Sequence, residues 1–523
     1  MNETVQIFDT TLRDGSQLEG ISLTVEDKLR IAEQLDWLGI SWIEGGWPGA
    51  NPKDEEFFRR AVTELHLSTS TLVAFGSTRR AAGKVDDDPT LRNLVAAGTK
   101  AVCIVGKTWD YHVLEALGTT LEEGVAMVGD SVRYLAGHGL EVMFDAEHFF
   151  DGYRRNPEFS LRVLEAAALG GASTLVLCDT NGGSLPFDVE RMVGEVKAHF
   201  RDDVILSMHT HDDTGCAVAN ALAGVRGGAR QVQGTINGIG ERTGNCNLTT
   251  VIPNLQLKMG FDVLPAERLA RLTQVANHLA ELENLPLNPQ AAYVGTSAFA
   301  HKAGLHVSAI AKAPDAYEHV SPALVGNGTR FVVSEMAGKA TIKLKAEQVG
   351  VELDGKEISE VIDELKRLEH AGYHFEAADA SLELLLRKAA GWNQEFFEIE
   401  SMRVITDELP NGTFVTEATV KAHVGGSRVI QTAEGNGPVN AIDTALRSAL
   451  TQAYPQLNKV HLTDYKVRVL DGVAATGAVV RVLIDSTNGQ RSWSTIGVSE
   501  NIIEASWQAL SDSLVYGLIH TKD

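Results

Sequence analysis

The stretch Ile205-Leu206-Ser207-Met208-His209-Thr210-His211-Asp212-Asp213-Thr214-Gly215 reads as a strand running into a polar loop. Side chains on a strand alternate between its faces, so His209 and His211 point the same way, one pleat apart. Two imidazoles on one face at a strand end can fill two sites on a single metal ion. Taken alone, an HxH pair is more often one surface and one packed histidine. Its meaning depends on what surrounds it.

Working outward, comparable runs rich in apolar and β-branched residues occupy 5–12, 41–47, 71–76, 101–106, 141–144, 174–179 and 231–236. Between them lie stretches with apolar residues at helical spacing, at 25–35, 121–135, 160–169, 189–200 and 217–225. Glycines follow several of these helices (Gly39, Gly98, Gly137 and Gly139, Gly170 and Gly171, Gly227 and Gly228), as expected of residues that end a helix. Eight strand–helix units in roughly 260 residues predict a (β/α)8 TIM barrel. A doubly wound open sheet is the rival, disfavoured because no GxGxxG follows the first strand. Polar residues gather where a barrel would put its strand ends: Asp9 to Asp14, Glu44, Glu147, Asp179-Thr180-Asn181, His209, His211, and Asn237 to Asn245.

Past Gly260 the pattern becomes helical (265–285), then loop-rich (286–338), then helical again (359–390). From about 396 three strand-like runs and a helix are followed by a second set of the same kind, a duplication with a period of roughly 60 residues. The expected organisation is a catalytic barrel over 1–262, a helical linker over 263–395, and an α+β domain of two βββα units over 396–523.

With 523 residues, two or three domains are expected. The net charge of −23 argues against nucleic acid or an anionic membrane as the main partner, without excluding an anionic substrate. Cys103, Cys178, Cys216 and Cys246 form no CxxC pair, which predicts a reducing compartment and no zinc ribbon. The first residues carry neither a basic segment nor an apolar core, and no apolar run approaches the ~20 residues of a membrane span. A cytoplasmic protein is the expectation.

At the end of the first strand Arg13 and Asp14 stand side by side. Asp14 can ligate a hard cation, and Arg13 can meet a carboxylate or a developing oxyanion; a plain surface ion pair is the alternative. The four glycines of Gly234 to Asn245 allow close backbone approach to a ligand, or simply a tight turn.

Three motifs, Asp9 to Gln17 (DTTLRDGSQ), His209 to Gly215 (HTHDDTG) and Gly234 to Asn245 (GTINGIGERTGN), closely resemble those of the isopropylmalate/citramalate/homocitrate synthases. These belong to the metal-dependent barrel enzymes that include hydroxymethylglutaryl-CoA lyase. The resemblance covers nearly all of the chain, since the duplicated block looks like the regulatory domain of the amino-acid-pathway members. Residues 75–80 (FGSTRR), 106–110 (GKTWD) and 301–309 (HKAGLHVSA) look most like the citramalate-forming branch.

By that resemblance, Asp14, His209 and His211 are ligands of a divalent metal (Mn, Mg or Zn), with Asn245 a fourth candidate. Arg13 would stabilise the keto oxygen, Thr180 the keto acid carboxylate, and Glu147 would act at the fifth strand's end. Gly240 and Glu241 would lie beside acetyl-CoA. His306 and Tyr317 would serve acid–base chemistry, although Val307-Ser308 stands where isopropylmalate synthases have Gln-Asp. The implied reaction is a Claisen-type condensation of acetyl-CoA with pyruvate, feedback-inhibited by isoleucine, in a homodimer. A pyruvate pocket needs bulky apolar groups, and Phe75, Val102 and Ile104 on neighbouring strands are candidates. Isopropylmalate synthesis and a non-catalytic amino-acid sensor are the alternatives; the completeness of the set Arg13, Asp14, Glu147, His209, His211 disfavours the sensor. A barrel metallohydrolase would carry its HxH on the first strand, not the seventh.

Overall fold

The computed structural model describes residues 3–200, 204–301, 309–310, 313, 316–331, 333, 338–470 and 477–521. The chain forms two compact units, one comprising Met1–Phe299 with Glu318–Thr329, the other Ala300–Tyr317 with Arg330–Asp523.

In the first unit eight strands close into a barrel: β1 (Gln6–Asp9), β2 (Trp42–Gly46), β3 (Thr71–Ser77), β4 (Ala101–Lys107), β5 (Glu141–Glu147), β6 (Thr174–Asp179), β7 (Ile205–Thr210) and β8 (Gln231–Gly234). All neighbours pair in parallel, and β1 closes on β8 from Gln6↔Gln231 to Asp9↔Gly234. Around them lie α1 (Val25–Leu38), α2 (Pro52–Glu64), α3 (Pro89–Ala96), α4 (Leu121–Gly137), α5 (Phe149–Arg155), α6 (Pro157–Gly170), α7 (Pro186–His199), α8 (Ala217–Gly227) and α9 (Leu248–Pro253).

Local chemistry explains the boundaries. Helix α1 opens with a capping box in which Thr24 and Asp27 satisfy each other's backbone N–H groups, a device worth about 1 kcal/mol, and stops at Gly39, whose φ of 100° suits a residue without a Cβ. Strand β1 is shorter than the expected 5–12 because the Thr10 carbonyl collects the N–H groups of Arg13, Asp14 and Gly15 in a tight turn. Strand β8 ends before 236 for a similar reason: a short 3-10 turn at Ile236–Gly238 bends the chain, with Asn237 at a φ of 63°.

Strand alternation separates two apolar layers. Phe8, Val73, Phe75, Ala101, Cys103 and Met143 pack inside the barrel. Val102, Ile104, Val142, Phe144, Leu175, Leu177, Leu206 and Met208 point outward and join Leu35, Val132, Leu164 and Val193 of the helices. This corrects one expectation. Ile104, and Val102 with it, cannot line a substrate pocket, because the register pairs Phe75 with Cys103 and leaves Ile104 on the opposite face, wholly buried against helices.

The second unit holds helices Lys339–Gln348, Gly355–His370 and Asp379–Ala389, the last two replacing the single helical stretch expected over 359–390. The duplication then follows. Antiparallel strands Phe397–Glu408, Phe414–Val424 and Ser427–Gly435 lead into helix Pro438–Leu450. Strands His461–Val469, Val480–Thr487 and Ser492–Ser499 lead likewise into helix Ile502–His520. Inward residues of both sheets, such as Val420 and Ile484, share one core with Leu446 and Leu510 of the two helices. Among the described residues no helix is long and apolar enough to cross a membrane.

Candidate metal centre

Strand β7 carries His209 on its inner face and delivers His211 just past its end, where His211 bridges Asn245 of the loop after β8. The turn after β1 brings Asp14 to the same point. All four side chains are buried, at 3–6% exposure. The Nε2 atoms of His209 and His211 lie 3.1 Å apart, and Asp14 Oδ2 is 3.4 Å from His209 Nε2. Asn245 donates its amide N–H to Asp14 Oδ2 at 2.7 Å. Among the described residues, Asp14, His209 and His211 form the one group of three ligand-type side chains that converges closely enough for a metal ion.

The electrostatics fit a cation. His209 donates Nδ1–H to Gln233 Oε1 at 2.8 Å, leaving its Nε2 as a lone pair. Burial, aided by His209, lowers His211 to about 4, so that ring stands neutral at pH 7. Burial would raise Asp14, but Arg13, the two imidazoles and the Asn245 amide hold it at about 2. Two imidazole nitrogens and a carboxylate oxygen therefore converge on one point, and Asn245 Oδ1 and His211 Nδ1 are buried with no hydrogen-bond partner among the described residues. Two imidazole nitrogens and carboxylate oxygen are donors suited to Zn, Mn or Mg.

Beside this group the Arg13 guanidinium is clamped. Its Nε donates to Glu44 Oε2 at 2.5 Å, Nη1 lies 3.4 Å from Asp14 Oδ1, and its carbon sits 3.9 Å from the centroid of the Phe75 ring. Phe75 in turn meets Trp47 edge-on at 5.4 Å. Burial disfavours the Arg13 charge, yet Asp14, Glu44 and Asp145 more than restore it. Burial raises the Glu44 carboxyl against the opposing pull of Arg13.

The other expected residues stand as follows. Glu147, at the end of β5, forms an ion pair with Lys107. The Thr180 hydroxyl accepts the backbone N–H of His148 at 2.9 Å, which ties it to the residue after Glu147. Gly240 packs its Cα against Asn245 Oδ1. Glu241 is exposed beside Arg242, which grips Asp213 through two bonds of 2.8 and 2.9 Å. Tyr317, 47% exposed, belongs to the second unit, and His306 lies outside the described residues.

Sequence reasoning assigned no role to Glu44, Gln233 or Asp145. Each left a signal: Glu44 is a charge at a strand end, Gln231 and Gln233 are polar at alternate positions of a barrel strand, and Asp145 shares a face with Glu147.

Comparison with known proteins adds a family. Residues 4–279 match the HMGL-like family model, 293–372 the homocitrate synthase post-HMGL domain-like model, and 376–518 the LeuA allosteric (dimerisation) domain. The chain is 52% identical to an (R)-citramalate synthase of Aquifex aeolicus, covering 100% of this chain and 99% of that one. It is 51% identical to another from Streptomyces coelicolor, covering 99% and 97%. A 2-isopropylmalate synthase of Sulfolobus acidocaldarius is 37% identical over 72% of this chain and 94% of its own.

Proposed function

The chain belongs to the HMGL-like family and, within it, to the (R)-citramalate synthases, and from that premise we propose that it condenses acetyl-CoA with pyruvate and water to give (R)-citramalate and CoA. The observation that carries the reading is the convergence of Asp14, His209 and His211 beside a clamped Arg13 at the mouth of the barrel.

Asp14, His209 and His211 would hold a divalent cation, with Asn245 hydrogen-bonded to Asp14 beside them. When bound, that cation supplies Lewis acidity toward a keto carbonyl. The chain's own groups do the rest. With Nε committed to Glu44, Arg13 has its terminal N–H groups to offer a keto oxygen as negative charge develops there. Phe75 and Trp47 form an apolar wall next to that guanidinium, suited to the methyl of pyruvate. Thr180 receives the keto acid carboxylate, Gly240 and Glu241 border acetyl-CoA, and Glu147, His306 and Tyr317 share the proton transfers, with His306 taking the proton from the acetyl methyl group. Hydrolysis of the thioester releases CoA and drives the step forward.

The product serves isoleucine biosynthesis, and isoleucine inhibits the enzyme through the LeuA-type domain. A groove of about 620 Å³ there, between the first repeat's helix and the second repeat's first strand, suits such an effector. Val439, Val460 and Leu462 offer an apolar wall, and Asn440, Asp443 and Arg447 offer polar contacts. The same domain joins two copies in a cytoplasmic homodimer.

His209→Ala tests the centre. The variant should lose bound metal and acetyl-CoA-dependent turnover together; one that keeps both refutes the assignment.

A further inference from the structure

We propose that Gln233 and Asp145 are positioning residues that fix the tautomer and aim of His209, and so set the affinity of the centre for its metal. The inference rests on the metal-centre reading above.

Gln233 is wholly buried on the inner face of β8, and both ends of its amide are engaged. Its Nε2–H donates to Asp145 Oδ1 at 3.1 Å, and its Oε1 faces His209 Nδ1 at 2.8 Å. Either ring nitrogen of a neutral histidine can carry the proton, and an amide can be turned end for end. The chain of contacts removes that freedom. Asp145 Oδ1 already accepts the Cys103 Sγ–H at 3.1 Å, so it is an acceptor and requires the amide nitrogen. The amide oxygen is then left for His209, whose Nδ1 must be the protonated one. Nε2 is therefore a lone pair directed at Asp14 and His211.

His211 has no such support among the described residues, where its Nδ1 is buried without a hydrogen-bond partner. The two histidines are thus unequal: one is held in its ligating form before any cation arrives, and the other is not. The bond also restricts rotation of the His209 ring. Partners of this kind typically change metal affinity by about 10–100-fold when removed. The chain of bonds reaches from β7 across β8 to β4 and β5, linking the metal ligand to the strand that ends in Glu147.

The test is zinc affinity of the full-length, metal-depleted protein, measured by competition with a chromophoric chelator, with the visible spectrum of the cobalt form as a second readout. Gln233→Leu should weaken zinc about 10–100-fold and alter the cobalt spectrum. Gln233→Glu sets a carboxylate against that of Asp145 and should also weaken binding. Adding Asp145→Asn restores a donor to that carboxylate, so the double variant should bind within about threefold of wild type. A purely structural role would lower the melting temperature of the metal-free protein and leave the affinities unchanged. Unchanged zinc affinity in Gln233→Leu, or a double variant no tighter than Gln233→Glu, overturns the proposal. Failure of wild type to bind zinc or cobalt overturns instead the metal-centre reading on which it stands.

Discussion

Replacing Arg13 with lysine keeps the charge and removes the geometry. The guanidinium simultaneously donates to Glu44 at 2.5 Å, approaches Asp14 at 3.4 Å and lies 3.9 Å from the centre of the Phe75 ring. A lysine ammonium is a compact point charge that cannot satisfy all three at once. A charge-assisted hydrogen bond contributes about 1.5–3 kcal/mol, and a desolvated cation–π contact about 2 kcal/mol. The retained charge offsets part of this, leaving a loss of about 3–4 kcal/mol where the arginine meets developing negative charge. At about 1.4 kcal/mol per tenfold, that is a fall of roughly 10²–10³ in kcat/KM, similar to deleting one oxyanion donor. The assay is CoA thiol release from acetyl-CoA and pyruvate, with zinc affinity measured in parallel. Activity within threefold of wild type would refute the role given to Arg13. A loss explained wholly by weaker zinc binding would refute it as well.

Three other outcomes are expected. In Gly240→Ala the new methyl group would overlap Asn245 Oδ1 on a backbone that side chains rarely adopt, pushing Asn245 away from Asp14; the melting temperature should fall, and the metal affinity of the folded variant, read by chelator competition, should fall at least tenfold. Asp36 accepts the N–H groups of Ser68, Thr69 and Ser70 and the Ser68 hydroxyl, which outweigh the effect of burial and hold it at about 2. Its contribution is therefore present above about pH 4 and lost as pH falls toward 2; Asp36→Asn should cost about 2 kcal/mol at pH 7 and flatten the denaturation profile across that window. Val439→Trp fills the groove of the C-terminal domain and should abolish isoleucine inhibition with kcat unchanged, as measured by initial rates with and without isoleucine.

The barrel was legible because alternating strands and helices differ in period, 2 against 3.6, and that pattern survives in a single sequence. The strand ends were not. Residues 10–12 and 235–236 are as strand-like as those before them, and only the Thr10 carbonyl capturing three N–H groups, or the turn at Asn237, shows where pairing stops. The histidine pair was visible because its two members share a face by local geometry. Placing Ile104 in the pocket failed because the parity of one strand relative to its neighbour is set by register: Phe75 pairs with Cys103, so the inward residues of β4 are the odd-numbered ones. Gln233 and Asp145 act on His209 from 24 and 64 positions away in the chain, a relation that only the closed barrel creates.

The central claim is that this mouth condenses acetyl-CoA with pyruvate. It is tested most directly by comparing kcat/KM for pyruvate, 2-ketoisovalerate and 2-ketoglutarate in the metal-loaded protein. Discrimination between a methyl and a larger side chain amounts to about 1–3 kcal/mol, so pyruvate should be preferred by at least about tenfold, with (R)-citramalate as the product. A higher kcat/KM for 2-ketoisovalerate, or no CoA release with any of the three, would contradict it.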